Sequence, residues 1–203
     1  MPSLARFALD NQVVVVTGAG RGIGRVIATE AVESGEKIAV GSLTTTELAN
    51  LAAEVTASGG ECWYSALDVE DVASSQSFMD AVIAHYGRID VLINNAGYNK
   101  FAKILDNDEK TYDKIINANL KNVFFCSQIA ARQMIKQGDG GSIVNISSQA
   151  GVVGAPERGP YSGAKAGVNN LTRTMAAEWA EFGIRVNAVA PTVTRSPLAE
   201  QVL

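Results

Sequence analysis

Tyr161 and Lys165 stand four apart, in Tyr161-Ser-Gly-Ala-Lys165, at the start of a helical pattern. Side chains at i and i+4 share one face of a helix, so a phenol could have an ammonium for a neighbour. Tyrosine ordinarily titrates at about 10 and is a poor proton carrier at neutral pH unless nearby positive charge favours its anion. Each unit of lowering corresponds to about 1.4 kcal/mol, within reach of a lysine together with a bound cationic group. The pair is therefore a candidate for general acid-base work. Taken alone it is also common decoration on surface helices, so the surrounding sequence has to decide.

The segment Val13-Val-Val-Val-Thr-Gly-Ala-Gly-Arg-Gly-Ile-Gly24 runs from an apolar strand into a helix through four glycines. Glycine permits positive φ and close backbone approach, and the first turn of the next helix offers unpaired N–H groups to a phosphate. Gly18, Gly22 and Gly24 fit G-x-x-x-G-x-G, whereas G-x-G-x-x-G would need glycine where Ile23 stands. A glycine-rich connection holding no ligand would read the same way. If the turn does hold a dinucleotide, an acid ending the second strand would accept from the adenosine ribose and repel a 2′-phosphate. That run, Lys37-Ile-Ala-Val-Gly-Ser-Leu-Thr-Thr-Thr46, has Ser42 at the place of the acid. With Arg21 free to pair with phosphate, and Ser42, Thr44 and Thr45 able to donate, the sequence favours NADP(H) over NAD(H). The plainer alternative leaves Arg21 exposed and makes Thr46 the N-cap of the next helix.

These residues must be positioned by a scaffold, and its pattern is regular. Short β-branched runs (Val13–Val16, Lys37–Gly41, Glu61–Ala66, Val91–Ile93, Ser142–Ile146, Arg185–Ala188) alternate with helical patterns. The helices fall at Gly22–Ser34, Thr46–Ser58, Val72–Tyr86, Asp108–Gln137 and Tyr161–Glu181. Repeated βαβ units predict an α/β fold of three layers, a doubly wound parallel sheet with helices on both faces. Ligands then bind beyond the carboxyl ends of the strands. The 203 residues, 47% hydrophobic and 19% charged, suit one domain over residues 1–203. A net charge of −4 with no Lys/Arg block gives no field for nucleic acid, and a small-molecule partner is expected instead. No stretch approaches the roughly 18 apolar residues of a bilayer span and no signal-like start is present, so no membrane and a cytoplasmic location are expected. Cys62 and Cys126 are far apart and outside any C-x-x-C, and are expected to be buried thiols rather than a disulfide or metal site. His85, the sole histidine, is read as structural.

Thr17-Gly-Ala-Gly-Arg-Gly-Ile-Gly24, Asn94-Asn-Ala-Gly97, Ser148 and Tyr161-x-x-x-Lys165 together resemble the short-chain dehydrogenase/reductase family, in its order and spacing over essentially the whole chain. The resemblance implies a Rossmann-type fold, a nicotinamide dinucleotide, and reversible carbonyl/alcohol interconversion without metal. By it, Tyr161 protonates the carbonyl oxygen, Lys165 holds the nicotinamide ribose and lowers the tyrosine pKa, and Ser148 orients the substrate oxygen. Ser147 is the rival serine, read as satisfying local backbone groups. Asn119 falls where the family has the asparagine that holds a relay water, with Asn117 and Asn122 on the same helix. Cofactor contacts are implied for Gly18, Arg21, Gly22, Ile23, Gly24, Ser42, Asp68, Val69, Asn95, Ala96 and Gly97. Asp68 would meet adenine, with a simple helix cap as the alternative.

After the sixth strand the family's Pro-Gly becomes Pro191-Thr192, and its later threonine becomes Ser196. Pro191, Val193 and Ser196 are still expected to border the nicotinamide, although Thr192 cannot reach positive φ as easily as glycine. Family members continue past the point equivalent to Leu203 into a last strand, a substrate lid and part of an oligomer interface, so the sixth strand is expected to have an open edge. Tyr98, Asn99, Phe101 and the Val152–Arg158 stretch should line a pocket of mixed polarity. Similarity suggests a 3-oxoacyl-carrier or small-ketone reductase, or else a sugar-acid or polyol dehydrogenase of the gluconate 5-dehydrogenase type. A carrier-protein partner predicts a basic patch at the mouth, for which Arg132, Lys136 and Arg158 are candidates. A homodimer or homotetramer is also implied, while a dinucleotide-binding protein without catalysis is a further class.

Overall fold

The structure, a computed structural model, describes residues 12–35, 37–192 and 194. Six strands, β1 (Val13–Thr17), β2 (Lys37–Ser42), β3 (Glu61–Ala66), β4 (Val91–Asn94), β5 (Gly141–Ile146) and β6 (Ile184–Val189), form one sheet in the order β3-β2-β1-β4-β5-β6. Every pairing is parallel. The central strand has all five residues buried, as a strand covered on both faces requires, and its unbroken valine run has this cause.

Alternate side chains of β1 feed two cores. Val14 and Val16 pack with Ala28 of α1 (Gly22–Glu33) and with Leu48, Leu51 and Val55 of α2 (Thr45–Ala57). Val13 and Val15 pack with Phe78 and Met79 of α3 (Val72–Tyr86), with Ile129 of α5 (Asn122–Gln137) and with Met175 of α6 (Gly159–Trp179). Each fully buried Val or Leu contributes roughly 1.5–3 kcal/mol. Three layers result, as the strand and helix alternation predicts. Because β2 lies to one side of β1 and β4 to the other, the connections leave in opposite directions and open a crevice at the carboxyl ends of β1 and β4.

Two local expectations are corrected. The helix expected over Asp108–Gln137 is two helices, α4 (Glu109–Ile116) and α5, joined by a π-helical turn at Asn117–Lys121. Asn119 and Asn122 donate to the carbonyls of Ile115 and Ala118, four residues back, and also to loop carbonyls outside the helix, which opens the regular ladder. Helix α2 begins at Thr45, after an N-cap Thr44 whose side chain makes no capping bond, so Thr46 is not the cap.

His85 stacks against Trp63 and meets Tyr86 edge-on, which is a packing role. Cys126 is buried and Cys62 half-buried; burial pushes their thiols up to about 11 and about 12. Among the described residues no helix is long and apolar enough to cross a membrane.

Candidate active site

The crevice is a groove of about 710 Å³ running from the glycine turn and the end of β2, past the ends of β4 and β5, to the start of α6. Its floor at one end is backbone. Gly18 has φ +68, and a Cβ there would lie 2.8 Å from the Ala96 Cα, so the turns after β1 and β4 touch at a point that admits only hydrogen. A Cβ on Gly24 would overlap the Asn95 amide nitrogen. That amide donates to the carbonyls of Thr17 and Gly18, 3.0 Å each, while the Thr17 hydroxyl accepts from the N–H of Asn95 and Ala96. Asn95 thus braces the two turns with its side chain. Helix α1 starts after Arg21, which makes no side-chain cap, and its first turn carries no acid. Its leading N–H groups are left to meet an anion in the groove.

At the other end the candidate groups are side chains. Lys165 is buried, and its Nζ donates to the Ile146 carbonyl at 2.7 Å. Burial lowers it from 10.5 to about 8. Its Nζ lies 5.6 Å from the centre of the Tyr161 ring, so the i,i+4 spacing sets the ammonium against the ring as expected. The tyrosine itself titrates above its ordinary value because burial outweighs the neighbouring Ser148 hydroxyl and the Arg158 charge. The lowering expected from Lys165 is therefore not present in the chain by itself; desolvation acts in the opposite direction and is larger.

The two serines both line the groove and differ in their burial and bonds. Ser147 is buried and its hydroxyl is directed to the Lys165 carbonyl at 3.3 Å, whereas Ser148 is half-buried, faces the groove and accepts from the Ala150 N–H. In the π turn, Asn119 donates to the carbonyls of Tyr98 and Ile115, which leaves its Oδ1 buried without a partner. That oxygen faces Gly97, where a Cβ would stand 2.6 Å from it and 3.9 Å from the Lys165 Nζ. An unpartnered acceptor opposite a buried ammonium suits a small polar bridge such as water. Asn117 is not among the groove residues. Asn122 holds the Ala96 carbonyl, and so supports the turn after β4.

Asp68 and Val69 line the groove after β3. Asp68 accepts from the Glu70 N–H, and the helix cap is Asp71, so the capping alternative passes to the later acid. Ser42, Ile23, Gly22 and Pro191 also line the groove. Val193 and Ser196 lie outside the described residues. The side chain of Thr192 donates to Gln149 at 2.7 Å, and Gln149 N–H donates to the Pro191 carbonyl, which ties the end of β6 to the residue after Ser148.

One group was missed in the sequence. Asn94 donates to Ser127 and Asn145, each at 2.8 Å, and Asn145 donates to Thr172, all of them buried. The chain of bonds joins β4, β5, α5 and α6 directly behind Asn95–Gly97 and Ser147–Ser148. Its signal was an asparagine in each of two apolar strands, where a buried amide calls for partners; the Asn94 and Asn145 amide nitrogens have them, while the Asn94 Oδ1 has none among the described residues.

A family model described as short chain dehydrogenase matches residues 12–203. This chain belongs to that family. The short-chain dehydrogenase is 38% identical over 194 residues to a 3-oxoacyl-[acyl-carrier-protein] reductase of Thermotoga maritima, covering 96% of this chain and 78% of that one. It is 37% identical over 188 residues to a 2-dehydro-3-deoxy-D-gluconate 5-dehydrogenase of Escherichia coli, covering 93% and 74%. A solved short-chain type dehydrogenase/reductase from Mycobacterium marinum superposes with a TM-score of 0.95 at 32% identity, covering 98% of this chain and 79% of that one. Members of the family are oxidoreductases that use a nicotinamide dinucleotide. The residues of this chain fit such a group: Gly18, Gly20, Arg21, Gly22 and Ile23 line one end of the groove, and α1 starts there with no side-chain cap.

Proposed function

We propose that the protein interconverts a carbonyl and a secondary alcohol, with Tyr161 as general acid and base. The observation that carries this reading is the convergence of Tyr161, Ser148, Lys165 and Asn119 on one end of a groove whose other end is a phosphate-binding turn. A bound nicotinamide would supply the hydride in reduction and accept it in oxidation. Tyr161 gives its proton to the substrate oxygen in reduction and takes it back in oxidation. The Ser148 hydroxyl donates to that oxygen and holds it against the tyrosine. Lys165, fixed by Ile146, brings positive charge to the phenol and a donor to the ribose hydroxyls, and Asn119 Oδ1 connects it to a relay water. Gly18, Arg21, Gly22, Ile23 and Gly24 hold the pyrophosphate, Asp68 and Val69 the adenine, and Asn95 to Gly97 the middle of the cofactor.

The substrate end favours an anionic ketone or alcohol. Lys114 lies 4.6 Å over the Tyr98 ring and Arg158 lies 4.8 Å over the Phe101 ring, and all four line the groove. Neither cation is in an ion pair among the described residues. A 3-oxoacyl carrier thioester, neutral at its ketone and charged through the phosphate of its carrier arm, or a small oxo acid fits this reading first, and a sugar acid second. Tyr112 and Phe124 leave apolar surface exposed on α4 and α5, which supports a homodimer or homotetramer. The expected preference for NADP(H) from Arg21 and Ser42 meets a competing carboxylate, Glu47, in the same part of the groove. The test is a turnover screen of 3-oxoacyl thioesters, oxo acids, sugar acids and neutral ketones, following the absorbance of the reduced nicotinamide. Anionic substrates should lead, and neutral ketones outperforming them would remove the Lys114 and Arg158 argument.

A further inference from the structure

We infer that Glu47 selects between the two dinucleotides, and that it selects NAD(H). The inference rests on the dinucleotide reading above. A site for the additional 2′-phosphate needs unopposed positive charge and free donors beside the end of β2, where the adenosine ribose lies. Around that point the side chains are arranged otherwise. Glu47, in the first turn of α2, turns its carboxylate toward Gly20: a Cβ at position 20 would lie 2.5 Å from Glu47 Oε2 and 3.3 Å from Ser42 Oγ. The bare Cα of Gly20 is what lets the carboxylate come so close. The Ser42 hydroxyl donates to the Thr44 carbonyl at 3.2 Å, so its proton is engaged within its own turn.

Charge gives the same answer. Arg25 is held by Glu54, so among the described residues the charged side chains lining this part of the groove are Arg21 on one hand and Glu47, with Asp68 and Glu70 after β3, on the other. A carboxylate beside the ribose accepts from its hydroxyls and repels a phosphate monoester, which carries close to two negative charges. The acid absent from the end of β2 is thus supplied from the helix that follows it. An effective dielectric constant of about 20 makes such a repulsion worth more than the roughly 1.4 kcal/mol that separates affinities tenfold.

The test is a fluorescence titration of the whole chain with NADH and with NADPH, for the wild type, Glu47→Gln and Glu47→Lys. The wild type should bind NADH more tightly. Glu47→Gln should tighten NADPH on the order of tenfold relative to NADH, and Glu47→Lys further. A wild type that prefers NADPH, or a ratio unmoved by both variants while binding persists, would overturn the role of Glu47 and leave the dinucleotide site standing. Absence of saturable binding of either dinucleotide to the wild type would overturn the site itself, and this inference with it.

Discussion

The two ends of the groove are built by different means. At the proposed phosphate end the chain contributes backbone: glycines, a helix start, and turns that touch at Gly18 and Ala96, with exposed side chains such as Arg21 around the edge. At the catalytic end it contributes side chains, and nearly all of them are buried or half-buried and held by bonds from distant parts of the chain. Lys165 reaches Ile146, Asn119 reaches Tyr98, and Asn145 links Asn94 to Thr172. Substitution of the buried, cross-linked residues behind the proposed catalytic end should therefore disturb folding, substitution of Ser148 or Tyr161 that face the groove should disturb chemistry, and substitution of edge side chains at the proposed phosphate end should be mild.

The largest expected effect is on rate. Ser148→Ala should lower kcat by about 100-fold or more while leaving the dinucleotide Kd unchanged, since one donor to the developing negative charge is lost. Steady-state kinetics with a parallel binding titration checks this, and a change confined to Kd would move Ser148 to the cofactor side of the comparison. Next is Asn145→Ala, which removes one of the two acceptors of the Asn94 amide and the donor to the Thr172 hydroxyl, leaving the bonds to Ser127 and Val168, and should cost about 1–3 kcal/mol, read by urea unfolding. A loss below 0.5 kcal/mol, as for an ordinary surface residue, would mean that the buried bonds contribute little.

Lys165 gives a pH-dependent difference. Burial lowers its folded value to about 8 from 10.5. Below pH 8 the folded and unfolded chains both hold the proton. Between about 8 and 10.5 the unfolded chain holds a proton that the folded chain has lost, so stability contributed at this site rises with pH. The stability of the wild type relative to Lys165→Met should accordingly increase across that window and be flat below it. An opposite slope would place Lys165 among groups whose charge the fold favours. The smallest effect belongs to the phosphate end: Arg25→Ala breaks its pair with the exposed Glu54 and should change stability by less than about 1 kcal/mol.

The same contrast explains what could be read from the sequence. The glycine turn is local, strand to turn to helix within Val13–Gly24, so its spacing made it a candidate, and the βαβ alternation predicted the doubly wound parallel sheet, though not the order of its strands. Tyr161 and Lys165 share one helix turn and were equally visible. What escaped was long-range. The Asn94, Ser127, Asn145 and Thr172 bonds join residues up to 51 positions apart, and nothing in the local pattern of α5 or α6 pairs them. The π turn escaped because Asn119 and Asn122 act through loops that come from β4. Glu47 was passed over because it sits in a helix whose apolar face explained its neighbours, while the carboxylate's approach to Gly20 depends on how α2 packs beside the glycine turn. The upward shift of Tyr161 likewise depends on burial, which a spacing of four residues does not convey.

In the proposed mechanism Tyr161 moves a proton and does not build the site. Its most direct test is Tyr161→Phe, measured for dinucleotide binding by fluorescence and for turnover on the best substrate of the screen. Binding should stay within about twofold of wild type while turnover falls on the order of 1,000-fold, the range of a general acid. Turnover that persists with binding intact would contradict the account and assign the proton to another group.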